Sequence, residues 1–268
     1  MNILEHAEKS PASVYDTQFV PALFEQWGPI VAESAAIRNG DRVLDVACGT
    51  GALTRAAVNT AGASGHVVGL DANPDMLDVA RSKAMPVEWL EGVAENLPMP
   101  DNRFDAVVSQ FGFMFFDDKP AALREMMRVL RPGGTLAVAV CDAIENSAGY
   151  NAFAALLDRL FGILVGNTFR APFSLGDSDR LRSLCEESGI ADASIERHDG
   201  QVRFASIAAM VSTERACVWT LGGLLDDEQF SRLLAACEEE LQPFVAPDGS
   251  IRFDMPALIV IARKSDGS

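Results

Sequence analysis

Val43-Leu44-Asp45-Val46-Ala47-Cys48-Gly49-Thr50-Gly51 carries an apolar strand directly into a glycine turn, and residues 52–59 behind it have helical spacing. In open α/β sheets this is where nucleotide cofactors sit, because the backbone can approach the ligand closely and helix N–H groups point at it. Asp71 follows twenty residues after Gly51, at the end of the next apolar run, where a carboxylate can accept both ribose hydroxyls. Two features separate this loop from a dinucleotide site. Thr54 stands where G-x-G-x-x-G has its third glycine, and Asp45 places a negative charge where a pyrophosphate would lie. A ligand carrying an ammonium group would instead find a partner there. The loop favours a cationic nucleoside over NAD(P), so an NAD(P)-dependent oxidoreductase is the weaker alternative.

Outward from the loop, short apolar runs alternate with helical patterns. Residues 42–46, 66–70, 87–90, 104–109 and 135–140 read as strands. Asn73-Pro74 starts a helix with Met76, Leu77, Ala80 and Ala84 inward, an N-cap followed by proline at the first helical position. A second helix, with Leu123, Met126, Met127 and Leu130 on one face, is expected to stop at Pro132-Gly133-Gly134. Near-continuous apolar strands alternating with helices predict a parallel sheet covered on both faces, a doubly wound α/β unit. We expect one domain: an N-terminal helical cap over about 1–36, a cofactor-binding half over about 37–141, and completion of the sheet over about 142–268. Helical insertions at 147–167 and 206–245 are expected to form a substrate cap. Asp199-Gly200 reads as either a hairpin turn or a bulge between strands in 193–204, and 256–262 reads as the last strand.

The 268 residues carry a net charge of −16, with no dense Lys/Arg cluster. Such a surface repels phosphate backbones, which argues against nucleic acid and anionic membrane as partners. No apolar run approaches the roughly 20 residues needed to span a bilayer. Five cysteines without a CxxC pair, and a charged N-terminus, point to a reducing cytoplasm. Three scattered histidines (His6, His66, His198) offer no metal pattern, so no metal is expected.

Four segments in order then carry a resemblance. They are Asp45 to Gly51; Leu70-Asp71-Ala72-Asn73-Pro74-Asp75-Met76-Leu77; Glu95-Asn96-Leu97-Pro98 with Phe104-Asp105; and Glu125 with Arg128 to Gly134. Together they resemble class I S-adenosylmethionine-dependent methyltransferases of the type 11 group, related to ubiquinone/menaquinone C-methyltransferases. The resemblance implies a Rossmann-like sheet of seven strands, the last antiparallel beside the fifth. It implies S-adenosylmethionine as cofactor and S-adenosylhomocysteine as product. Gly49 and Gly51, with Ala47, would let the backbone approach the methionyl and ribose parts, and Asp45 would orient the ammonium through the loop or a water. Asp71 would take the ribose diol, with Ala72 and Met76 beside the adenosine. Ala94 would offer its N–H to adenine, and Gln110 would line the methyl-donor site. Val93 replaces the family's frequent Asp before that alanine, which leaves Glu95, backbone or water to meet the adenine amino group.

The acceptor is expected to be a small molecule. Methyl transfer from a sulfonium is an in-line displacement that needs alignment above all, so no catalytic base is assigned. Phe111 and Phe113, which follow the fourth strand, are expected at the substrate pocket, as are Tyr15 and Asp142. A non-catalytic S-adenosylmethionine-binding protein on the same fold is the second alternative.

Overall fold

The computed structural model describes residues 10–217 and 219–265. Residues 1–9 of the expected N-terminal cap, His6 among them, lie outside the described residues. Helix α1 (Pro11–Val14) runs into a π-helical segment (Tyr15–Phe24), and α2 (Trp27–Ser34) follows. The first half continues with β1 (Arg42–Val46), α3 (Ala52–Ala61), β2 (His66–Asp71), α4 (Pro74–Ser82), β3 (Val87–Glu91), β4 (Phe104–Gln110), α5 (Lys119–Val129) and β5 (Leu130–Cys141). Helices α6 (Ala148–Phe161), α7 (Ile163–Arg170) and α8 (Ser178–Glu187) precede β6 (Ser194–His198) and β7 (Gln201–Phe204). Helices α9 (Ile207–Ala216) and α10 (Asp227–Glu240) lead into β8 (Ile251–Asp254) and β9 (Ala257–Arg263).

Seven strands form one sheet in the order β3-β2-β1-β4-β5-β9-β6. The strands from β1 to β5 pair in parallel, and β9 runs antiparallel to both β5 and β6. This is the expected Rossmann-like sheet with its last strand reversed. Alternation along β1 explains the two cores. Leu44 and Val46 pack on the face shared with α5 and α6, while Val43 turns to the face covered by α2 and α3. The strand order reverses between β1 and β4, so their C-terminal loops splay apart and leave a crevice.

Three local expectations change. Pro132-Gly133-Gly134 lies inside β5 rather than before it. Pairing with β4 steps from Phe104↔Leu130 to Ala106↔Thr135, so the strand is already paired at Leu130 and bulges through the prolyl-glycine segment. Asp199-Gly200 is neither a hairpin turn nor a bulge. The pairing of β6 with β9 continues in the same register into β7 with β8, so no residue is inserted and one long ribbon bends into a second sheet. Gly200 permits the bend because a Cβ there would lie 2.1 Å from the Trp27 ring. The short strand β8 was not anticipated, although Ile251 and Phe253 alternate with polar neighbours. Among the described residues, no helix is long and apolar enough to cross a membrane.

Candidate cofactor and acceptor site

The crevice at the ends of β1, β2 and β4 opens into a cavity of about 580 Å³. At the end of β1 the chain turns left-handed at Ala47 (φ +57°), Gly49 (φ +54°) and Gly51 (φ +88°). Phe111, just past β4, is also left-handed (φ +55°). Non-glycine residues in that region cost on the order of 1–3 kcal/mol each and cluster at functional sites. Ala47 and Phe111 both line the cavity.

Asp71 ends β2 and holds the loop. Its Oδ2 accepts the Gly49 N–H at 2.7 Å and its Oδ1 accepts the Asn73 N–H at 2.8 Å. Burial raises its pKa, while those N–H donors oppose the rise. Ala72, Met76, Val93, Ala94, Glu95 and Gln110 join Asp71 and Gly49 around this half of the cavity. Gln110 donates from Nε2 to the Phe24 carbonyl at 3.1 Å, leaving its buried Oε1 without a partner. Glu95 is already engaged by the Asp117 N–H at 2.9 Å, so its carboxylate braces the loop before α5.

The N-terminal segment closes over the loop. Tyr15, Phe19 and Phe24 face the cavity at steps of four and five residues, the spacing that a π-helical turn brings onto one side. Tyr15 stacks on Phe24 at 5.3 Å and lies over Gly49. Lys83 clamps the arrangement by donating to the Thr50 carbonyl at 2.7 Å and to the Asp16 carboxylate.

Four expected residues lie off the cavity wall. Asp45 is buried behind the loop, where its Oδ2 accepts the Thr54 hydroxyl at 2.6 Å. It shares the α3 face of β1 with Val43, so strand alternation keeps it off the cavity wall. Burial pushes its pKa up to about 7, opposed by the Thr54 bond. Gly51 acts through shape: it caps α3 beneath Trp89 and Met85, each 3.0 Å from where a Cβ would be. Phe113 turns under a 3-10 turn into the core, its ring edge against Phe116 at 5.8 Å. Asp142 is buried in a structural knot, accepting from the Ala143 N–H, Asn146 and Arg197 at 2.8, 3.0 and 2.9 Å. The charge of Arg197 and those donors satisfy it away from the cavity.

The helical insertions expected as a substrate cap supply much of the inner half, but its individual residues were not assigned from the sequence. Tyr150 and Phe169 come from α6 and α7, Phe173 follows α7, and Glu214 projects from α9. Cys217, Trp219 and Thr220 follow, with Trp219 edge-on to Tyr15 at 5.9 Å. Tyr150 and Phe169 sit in helical patterns that ordinary core packing also explains, and a lone glutamate near a helix end gives no signal. Their convergence is tertiary.

The profile of the ubiE/COQ5 methyltransferase family matches residues 19–208.

The chain belongs to that family.

The ubiquinone/menaquinone biosynthesis C-methyltransferase UbiE of Pseudomonas syringae pv. tomato is 38% identical over 182 residues, covering 64% of this chain and 71% of that protein. The UbiE of Pseudomonas fluorescens is 36% identical over 195 residues, covering 69% and 76%. Among solved structures, YcgJ of Bacillus subtilis superposes with a TM-score of 0.60 at 18% identity, covering 90% of this chain and 99% of that one. An arsenic(III) S-adenosylmethionine methyltransferase of Chlamydomonas reinhardtii gives 0.53 at 22% identity, covering 87% and 66%. At those identities the structures show the fold alone.

The protein is an S-adenosylmethionine-dependent methyltransferase of this family. Its own residues fit that group. The unpartnered Gln110 oxygen offers an acceptor for an ammonium, and Asp71 keeps lone pairs for a diol beside the apolar Met76 and Ala94. The third glycine that a pyrophosphate turn uses is absent.

Proposed function

We propose that the protein transfers the methyl group to a small, largely apolar acceptor with an aromatic ring, by in-line displacement. The observation that carries this reading is continuity. The half bounded by Asp71, Ala72, Met76 and Ala94 opens without a partition into a half bounded by Phe19, Phe111, Phe169 and Phe173. S-adenosylmethionine supplies a methyl carbon already activated on a cationic sulfur. Asp71, Ala94 and Gln110 would hold it, with Asp45 setting the loop from behind through Thr54 and α3. Tyr15 and Phe24 close over the loop and exclude water, while the aromatic walls orient a ring. Fixing two reactants in line can supply several kcal/mol of the barrier. The C-methyltransferase activity named for the Pseudomonas relatives makes a hydroxylated aromatic ring the first acceptor to test.

The test is calorimetric titration of ligand-stripped protein with S-adenosylmethionine, S-adenosylhomocysteine and NADH. It is followed by mass spectrometry of a naphthalene-1,4-diol incubation under anaerobic conditions. Binding of both sulfur nucleosides but not NADH, with one methyl added to the diol, is the expected result. Nucleoside binding with no methylated product across a wider panel of phenols would overturn the acceptor assignment.

A further inference from the structure

In the wall of the cavity, Glu214 and Tyr150 lie beside each other among apolar residues. Glu214 is 1% exposed and Tyr150 2%. Among the described residues neither the Glu214 Oε2 nor the Tyr150 hydroxyl makes a hydrogen bond of good geometry, although the two side chains lie close enough to interact. The rest of Glu214 is well held. Its backbone carbonyl accepts from the Thr220 hydroxyl at 3.0 Å and from the Cys217 N–H at 3.2 Å. Its Oε2 is left without a hydrogen bond among the described residues, with Thr220 and Tyr150 as the polar neighbours of the side chain, in a place where an unpaired carboxyl costs several kcal/mol. Buried polar groups are nearly always satisfied, so a free one lining a cavity marks the place of a missing partner.

Of the other acids near the cavity, Asp117 is exposed to solvent and the rest are occupied. Asp71 and Glu95 accept backbone N–H groups, Asp45 accepts Thr54, and Asp142 is held by Arg197. Burial raises the Cys217 thiol to about 11 and pushes Cys141 and Tyr150 upward, so these groups stay neutral near pH 7. Burial brings Glu214 up to about 7, the value a proton acceptor at neutral pH needs, against the opposing influence of Thr220 and Tyr150. The family match ends at residue 208, six residues before Glu214, so the matched segment does not supply this group.

We propose that Glu214 is the acceptor-side base of this methyltransferase, receiving the proton of an aromatic hydroxyl held between its carboxylate and the Tyr150 hydroxyl. The assignment rests on the methyl-transfer reading above. As the hydroxyl O–H bond breaks, its proton passes to Glu214 Oε2 and the electron pair moves into the ring. A conjugated ring carbon then bonds to the methyl carbon, and the methyl–sulfur bond breaks with its pair left on sulfur. The displaced ring proton leaves to water as aromaticity returns, and Glu214 hands its proton back to the oxygen.

The experiment uses full-length protein saturated with S-adenosylhomocysteine and two fluorescent probes, 2-naphthol and 2-methoxynaphthalene. They differ in the donor that Glu214 would accept. Wild type is expected to prefer the naphthol by roughly tenfold, as a hydrogen bond to a charged group allows. Glu214→Leu should abolish that preference. Glu214→Gln, which keeps the shape and one acceptor, should retain part of it and lose turnover through kcat rather than KM. S-adenosylhomocysteine affinity should match wild type in both variants. Equal affinity of wild type for the two probes, or an undiminished preference in whichever variant folds, would overturn the role of Glu214. Wild type that fails to bind S-adenosylhomocysteine would instead overturn the methyl-transfer reading itself.

Discussion

Asp71 does two jobs with one carboxylate: it accepts the N–H groups of Gly49 and Asn73 and faces the cavity. Asp71→Ala is therefore expected to weaken S-adenosylhomocysteine binding by at least tenfold, since charge-assisted bonds are worth roughly 1.5–3 kcal/mol each. Calorimetry checks this, and an unchanged affinity in folded protein would remove Asp71 from the site. Glu214 has a second consequence, in stability. Its folded pKa of about 7 lies above its ordinary 4.5, so the folded state favours the neutral acid. Stability from this group is full below the ordinary value and is lost as pH rises through about 7, a loss of about 3 kcal/mol. Tyr150, Cys141 and Cys217, the titratable groups around it, stay neutral over that range. Glu214→Gln should thus be more stable than wild type at pH 8 and nearly equal at pH 4.5, in denaturant titrations at the two values. Asp45, raised for the same reason, keeps its own share of the pH dependence in both proteins.

Among the elements, the long ribbon formed by β6–β7 and β8–β9 shows how a site is shaped by a bend. It leaves the main sheet at Gly200, where the backbone passes against the Trp27 ring, and the Met255 N–H bonds the Gly200 carbonyl at 2.8 Å. Met255 lines the inner cavity, and α9 with Glu214 follows directly from β7. Gly200→Ala forces a methyl group into the fully buried Trp27 and is expected to destabilise by 1–3 kcal/mol, the usual cost of overpacking. The checks are the urea midpoint and the intrinsic fluorescence of the tryptophans. The elements of the first half were legible because β1, β2 and β4 are buried on both faces and α4 and α5 open on side-chain caps, at Asn73 and Asp118. The ribbon was not, because a bend that preserves register leaves no mark in the apolar pattern. The bulge through Pro132-Gly133-Gly134 was misplaced because breaker residues end helices and interrupt strands alike.

For the whole molecule, the cavity has walls contributed from both ends of the chain. Tyr15 touches Phe24 and Trp219, and Phe19 packs edge-on against Phe204 at 6.1 Å. A ligand that fills the cofactor half thus joins the N-terminal segment to the α9 region. Saturation at a hundredfold above Kd stabilises by about 2.7 kcal/mol. For a protein of this size that should raise Tm by about 5–10 °C. Differential scanning fluorimetry with S-adenosylhomocysteine checks the shift, and NADH at the same concentration should give none.

Local order in the chain was enough for the glycine loop, Asp71, the two-faced strands and hence the sheet with its cofactor crevice, because those depend on neighbours within one βαβ unit. Roles that depend on side-chain direction required the fold. Asp45 faces α3 and not the cavity because strand residues alternate, and Phe113 turns inward because a 3-10 turn follows Gly112. Asp142 is held by Arg197, a partner more than fifty residues away. The meeting of Tyr150 with Glu214 was decided by tertiary structure alone, since two helices distant in sequence must pack before either side chain has a neighbour.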